Sequence, residues 1–145
     1  MIPEAFLQLA NRMTLSRTSG PAEFRTSISR AYYAVYHLAR DILNDKMQFY
    51  CKAGGNEHQW VQRHFVNCTT PDARDAGRIL QNMHDARKDA DYELGDSEIE
   101  TGVQARFSLE RANEVENLLR SCVSDDNLLM IKAEMLRYRA LAKVQ

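Results

Sequence analysis

Within HDARKDADYEL stand an imidazole, His84, a guanidinium, Arg87, and, four and five residues after it, the carboxylate of Asp91 and the phenol of Tyr92. A permanent cation that grips planar anions, set beside groups that give or take protons, is equipment for holding a phosphate and moving a proton near it. Read as a helix, the segment has an apolar stripe of Ala76, Leu80, Met83 and Ala90. Arg87 falls near the middle of that stripe, with Asp91 one turn on and His84 at its edge. A guanidinium aimed along an apolar face must be paired, lie in an interface or reach into a cleft, because unpaired burial is costly. Two readings follow: an anion-holding site, or an Arg87–Asp91 ion pair that only fixes packing register.

A second row lies in FRTSISRAYYAVYHLARDIL, residues 24–43. At 100° per residue, Phe24, Ile28, Ala31, Val35, Ala39 and Ile42 share one face, widened by Tyr32 and Leu43. The opposite face carries Arg30, Tyr33, His37, Arg40 and Asn44. Arg30, Tyr33 and His37 suit a phosphate and a stacked base, since arginine pairs with anions and tyrosine offers a π-face. The plainer reading is a solvated outer face, with Tyr32, Tyr33 and Tyr36 as packing residues.

Positioning these groups is the work of helices. Pro3, Pro21 and Pro71 each stand where a helix can begin, with an acidic residue one or two positions later, which suits the first turn and its dipole. No β-branched alternation reaches strand length. The pattern predicts helices near 3–17, 21–50, 56–68, 71–93 and 97–123. A sixth in the tail has Asp125 or Asp126 as its N-cap. The fold class is therefore all-α: an antiparallel up-and-down bundle of four to five main helices plus a C-terminal helix. Residues 1–123 form the bundle. Residues 124–145 pack on it as a lid or reach a second subunit as an arm, and the arm is favoured.

The bulk properties narrow the function classes. The 145 residues fit one domain, and 19 Lys plus Arg nearly cancel 20 Asp plus Glu. That balance argues against sequence-blind adhesion to nucleic acid or anionic membrane. Cys51, Cys68 and Cys122 are widely spaced, which reads as reduced thiols in a cytoplasmic protein. No signal-peptide h-region or apolar run of about 20 residues appears, so no membrane partner is expected. Asp89, Asp91, Glu93 and Glu100 imitate a calcium loop with its glycine misplaced, and His58 and His64 are six apart, the wrong interval for one helix face. Neither a metal nor a cofactor is expected.

The two segments together resemble the HEPN superfamily of helical domains. FRTSISRAYYAVYHLARDIL is similar to that family's R-x-x-I-S-R-A-Y-Y-A helix. HDARKDADYEL, residues 84–94, is similar to its Arg-centred helix, and EHQWVQRHF, residues 57–65, to its short third helix. The resemblance spans about residues 5–120. It implies a homodimer whose paired motifs line a shared cleft, and metal-independent ribonuclease activity where the motif reads Arg, four to six residues, then His. Arg87 matches the arginine. After four intervening residues stands Tyr92, and no histidine follows within reach. A phenol titrating near 10 is a poor base at neutrality, so the departure favours a module that binds RNA, a nucleotide or a partner protein. Family settings imply a nucleotidyltransferase or antitoxin partner and a toxin–antitoxin or phage-defence role. The alternatives are a working ribonuclease toxin using Arg87 with Tyr92, Asp91 or His84, and a purely structural dimer.

Overall fold

The computed structural model describes residues 2–143, and among them the regular structure is entirely helical. The elements are α1 (Pro3–Leu15), α2 (Pro21–Asp41), α3 (Glu57–Val66), α4 (Pro71–Tyr92), α5 (Gly102–Cys122) and α6 (Asp125–Leu141). Pro3, Pro21 and Pro71 open α1, α2 and α4 as their spacing predicts. Helices α1 and α3 end two residues short of the sequence reading, and three further differences have a visible cause. The second helix does not run to 50: α-helical geometry stops at Asp41 and one π-helical turn, Ile42–Lys46, follows. Its wider turn and the left-handed Gln48 (φ 60°) redirect the chain so that Met47 and Phe49 enter the core. The fifth helix begins at Gly102, not 97, because Thr101 caps it by accepting from the Gln104 N–H at 3.2 Å. Neither Asp125 nor Asp126 is the N-cap of α6. Ser124 holds that place, and the two aspartates lie in the first turn facing the positive end of the dipole.

The helices are arranged around α2 and α4. Ser29 lies opposite Asp91, and Tyr33 opposite Arg87, so these two helices run antiparallel. His58 stacks on His84, while a Cβ on Gly77 would meet Val66, so α3 is antiparallel to α4 as well. It follows that α2 and α3 run in the same sense, the segment 47–56 carrying the chain back between them. This departs from strict up-and-down alternation. The core between the helices holds Tyr32, Val35, Leu43, Phe65, Leu80, Val115 and Leu119, each 2% exposed or less.

Two contacts fix the frame. Arg25, near the start of α2, is 7% exposed and spends its guanidinium on the far end of α4. Nε donates to Glu100 Oε1 at 2.8 Å, and Nη1 to the Asp89 and Ala90 carbonyls at 3.3 and 2.9 Å. Nη2 donates to the Glu93 and Asp96 carbonyls at 3.0 and 2.9 Å. The C-terminal carbonyls of a helix have no partner within it, so one side chain satisfies the end of α4 and ties down the segment leading to α5. At the other end, a Cβ on Gly77 would lie 2.5 Å from the Val66 nitrogen and 2.9 Å from the Phe65 carbonyl carbon. Only a residue without a side chain allows α3 this close to α4.

The last helix lies on its own bundle. Ile131 and Met135 are wholly buried, and Glu134 accepts from the Thr70 N–H at 3.1 Å and from the Thr69 and Thr70 hydroxyls, at the start of α4. Although partial burial works against the charge, those hydrogen bonds hold the Glu134 carboxyl below its usual range.

Arg25→Ala strands a set of buried carbonyls and the Glu100 carboxylate, and should cost about 3–5 kcal/mol in chemical denaturation. Gly77→Ala should cost about 1–3 kcal/mol by overpacking, whereas Gly95→Ala, with nothing within 4 Å of its new Cβ, should be close to neutral.

Candidate functional site

The antiparallel pairing of α2 and α4 brings the two sequence rows together. Arg87, its side chain 13% exposed, lies with Nε 3.1 Å from Asp91 Oδ2. Nη2 donates to the phenolic oxygen of Tyr33, and the guanidinium carbon sits 5.1 Å from the Tyr33 ring centroid. The Asp91 contact is off the N–H axis, since the buried Nε finds no well-aligned acceptor. It is an ion contact more than a directed hydrogen bond. Asp91 also accepts from the Ser29 hydroxyl at 3.3 Å. Tyr92, 69% exposed, turns its ring to within 5.8 Å of the guanidinium from the solvent side. Among the described residues, Nη1 of Arg87 has no hydrogen-bond partner and is not a buried orphan. An anion can therefore approach along that edge.

The face bearing Arg30, Tyr33, His37, Arg40 and Asn44 is half-buried rather than a solvated outer face. Helix α1 covers part of it: Phe6 stacks on His37 at 5.5 Å between centroids, and the Arg30 guanidinium lies 5.7 Å from the Phe6 centroid. Tyr33 and His37 stack at 5.9 Å. His37 is held below its ordinary pKa first by burial, then by the Arg40 charge, and its Nδ1 is buried without a partner. Arg30 makes no ion pair with a described carboxylate, and it stands one turn before Tyr33 on the same helix.

His84 does not join the Arg87–Asp91 pair. It stacks on Tyr32 at 5.2 Å and on His58 at 4.9 Å. His58 in turn stacks on Tyr36 at 4.1 Å and meets the Tyr32 hydroxyl through Nδ1 at 2.7 Å. Gln62 Nε2 donates to that hydroxyl at 3.4 Å, which leaves the phenolic O–H free to donate to Nδ1 of a neutral imidazole. Burial, then the nearby His84 and Arg87, push the His58 pKa down to about 4. His84 is lowered by burial and by Lys88 and Arg87. Tyr36 donates to Glu57 Oε1 at 2.7 Å, and burial with that carboxylate raises its pKa.

Sequence reasoning weighed His58 only as a metal partner of His64 and missed its place here. The signal was present: His58, Val61, Gln62 and Phe65 have the spacing of the inner face of α3, so His58 points into the bundle. His64 is also buried, with Nδ1 donating to the Trp60 carbonyl at 2.7 Å and Nε2 accepting from Arg139 at 3.0 Å. No cluster of metal-ligating side chains exists among the described residues. None of the described helices is long and apolar enough to cross a membrane.

A polar groove of about 320 Å³ opens between α3 and α4, its amides Gln59, Gln62, Gln81 and Asn82 set among His84 and the charged Arg63, Asp85 and Lys88. Amide side chains there offer both donors and acceptors, the equipment for reading the edge of a planar heterocycle. The arrangement can hold an anion at Arg87, stack a ring on Tyr92 and present neutral imidazoles one turn before Arg87 on the other side. No protein-family model, curated protein or solved structure matches the chain.

The depressed imidazoles set an acid limit on stability. His58 and His64, both at about 4 in the folded chain, return to about 6.5 when unfolded. Between those values the unfolded chain binds the protons that the folded one refuses, so stability falls as pH drops through that window. The melting temperature should decline from pH 7 to pH 4.5. His64→Gln, though less stable at pH 7, should decline less steeply over the same interval.

Proposed function

We propose that the chain is a HEPN-like binding module for single-stranded RNA or a nucleotide, with Arg87 contacting phosphate. The observation that carries the reading is the Arg87 edge. The guanidinium is fixed on Tyr33 and Asp91, overlaid by an exposed Tyr92, and keeps Nη1 for an incoming anion. Orientation is set before binding, so little conformational entropy is lost when a phosphate arrives. Arg30, one turn along α2, supplies a second cation, and Tyr92 a stacking face for a base. Tyr33 acts by holding Arg87 rather than by stacking a base itself, and His37 is packed against Phe6. A nucleotidyltransferase or antitoxin partner, a defence setting and a homodimer belong to this reading through the resemblance.

Cleavage is the second reading, and the stacked His58–His84 pair favours it. Two imidazoles near a phosphate-holding arginine are a chemically sufficient set for transfer through a ribose 2′-OH, one taking a proton and one giving it. The low pKa of His58 suits the base and leaves the acid poorly supplied at pH 7, which weighs toward binding without turnover.

Fluorescence anisotropy with labelled single-stranded RNA in EDTA tests both. Arg87→Ala should weaken binding about 10- to 100-fold, the worth of a charge-assisted contact. Tyr92→Ala, an exposed change, should weaken it about 5- to 100-fold through lost stacking. Unchanged affinity in both folded variants would overturn the binding reading. Metal-free cleavage of the RNA that disappears in His58→Gln or His84→Gln would replace it with the nuclease.

A further inference from the structure

One corner of the molecule departs from the charge balance of the whole chain. Residues 47–56 before α3, residues 58–66 of α3 itself and residues 135–143 at the end of α6 contain no aspartate or glutamate. The same segments carry Lys52, Arg63, Arg137, Arg139 and Lys143. Glu57 and Glu134, which border them, are committed elsewhere. Glu57 accepts from the Tyr36 hydroxyl at 2.7 Å and lies 3.8 Å from Arg40. Glu134 is taken up by Thr69 and Thr70 at the start of α4. The corner is left with a positive field that nothing local cancels.

Three of those cations converge. A hollow of about 440 Å³ between α3, the loop before it and the end of α6 is lined by Lys52, Gln59, Trp60, Arg63, Tyr138 and Lys143. Lys52, Arg63 and Lys143 are exposed, and none has an ion-pair partner among the described residues. Lys52 opens a turn closed by the Gly55 N–H on its own carbonyl at 3.1 Å. That turn has Gly54 in the left-handed region at φ 81° and runs into the N-terminus of α3, whose first turn also borders the hollow. The positive end of the helix therefore adds to the same field. Behind the cations the walls are fixed. Trp60 and Tyr138 pack on the wholly buried His64, with centroids 4.4 and 5.4 Å from its ring. Arg139 donates to His64 Nε2 at 3.0 Å, so α3 and the end of α6 are tied together.

We propose that this hollow is a second anion site, built for the polyphosphate chain of a small molecule. A lone phosphate is satisfied by a single arginine fork. Three cations on separate elements, with the end of a helix beside them, match an anion whose charge is spread over linked phosphates. A nucleic-acid strand or an anionic membrane needs the positive surface to continue as a track or a plane. Here it stops: in the adjoining amide groove Lys88 is paired with Asp85 at 2.9 Å. A free polyphosphate and a nucleoside triphosphate share the chemistry that the hollow recognises. Arg87 is engaged on α2 through Tyr33, so the hollow is separate from the Arg87 site and does not rest on the function proposed for it.

Trp60 is the one tryptophan of the chain, so its fluorescence reports on this hollow directly. Sodium tripolyphosphate, titrated into the whole chain at constant ionic strength, should change the Trp60 emission and saturate. Pyrophosphate and then orthophosphate should bind more weakly, by about three- to fivefold per phosphate removed, the scale of an exposed ion pair. Arg63→Ala should weaken tripolyphosphate about 10-fold, the loss of a charge-assisted contact, and Lys52→Ala about three- to fivefold. Both change exposed side chains and should leave the melting temperature unmoved, and Arg87→Ala should leave the affinity unchanged. ATP separates the two sources of the chain: tighter binding than tripolyphosphate assigns the hollow to a nucleotide, and equal or weaker binding to the free polyphosphate. Calorimetry on the same samples detects binding to which the indole does not respond. No heat and no change in emission would overturn the proposal, as would sulfate binding as tightly as tripolyphosphate. So would an affinity that survives Arg63→Ala combined with Lys52→Ala, or one lost in Arg87→Ala instead.

Discussion

The fold depends most on a single buried cation. Arg25 directs hydrogen bonds at four backbone carbonyls and the Glu100 carboxylate, and every acceptor belongs to the end of α4 or the turns that follow it. A charge so enclosed is tolerated because all five N–H groups are satisfied. The arrangement joins the first turns of α2 to the last turn of α4. Asp91 and Tyr92 sit in that last turn and the Ser29–Asp91 contact lies one turn along α2, so the order of the Arg87 site is inherited from a residue that never touches it.

The candidate site is built from aromatic contacts as much as from charge. Tyr32 is at its centre: it stacks on Tyr36, His58 and His84 and exchanges hydrogen bonds with His58 and Gln62. A phenol so buried keeps its proton, and burial likewise holds the imidazole beside it neutral. Thus the same packing that fixes the geometry also fixes the protonation states. At neutral pH the cluster presents polarity without much charge, and the cationic character of the site is left to Arg87 and Arg30.

Much of this was legible in the sequence, in proportion to how local the cause is. Proline positions and apolar periodicity gave the existence and order of the helices, and the Arg87–Asp91 spacing announced the ion contact that the structure contains. Events that depend on neighbours were not legible. The π-helical turn at Ile42–Lys46 arises where Met47 and Phe49 find room in the core, not from any residue that breaks helices. The close approach of α3 to α4 depends on Gly77, whose importance is visible only once Val66 lies against it. Nothing in its own helix singles out Arg25, because its partners are more than sixty residues away. His58 was within reach of pattern reading, but comparison with His64 alone concealed that its neighbours on the helix face are Val61, Gln62 and Phe65.

The absence of a side chain at Gly77 has a mechanical consequence. Val66 rests directly on its backbone, at the end of α3 furthest from the His58–His84 stack. Eight residues, about 12 Å of helix, separate Val66 from His58. Over that length α3 is pinned twice, by bare backbone at one end and by stacked rings at the other. The amide-lined groove between the helices thus has its width set like the gauge between two rails spiked down at both ends.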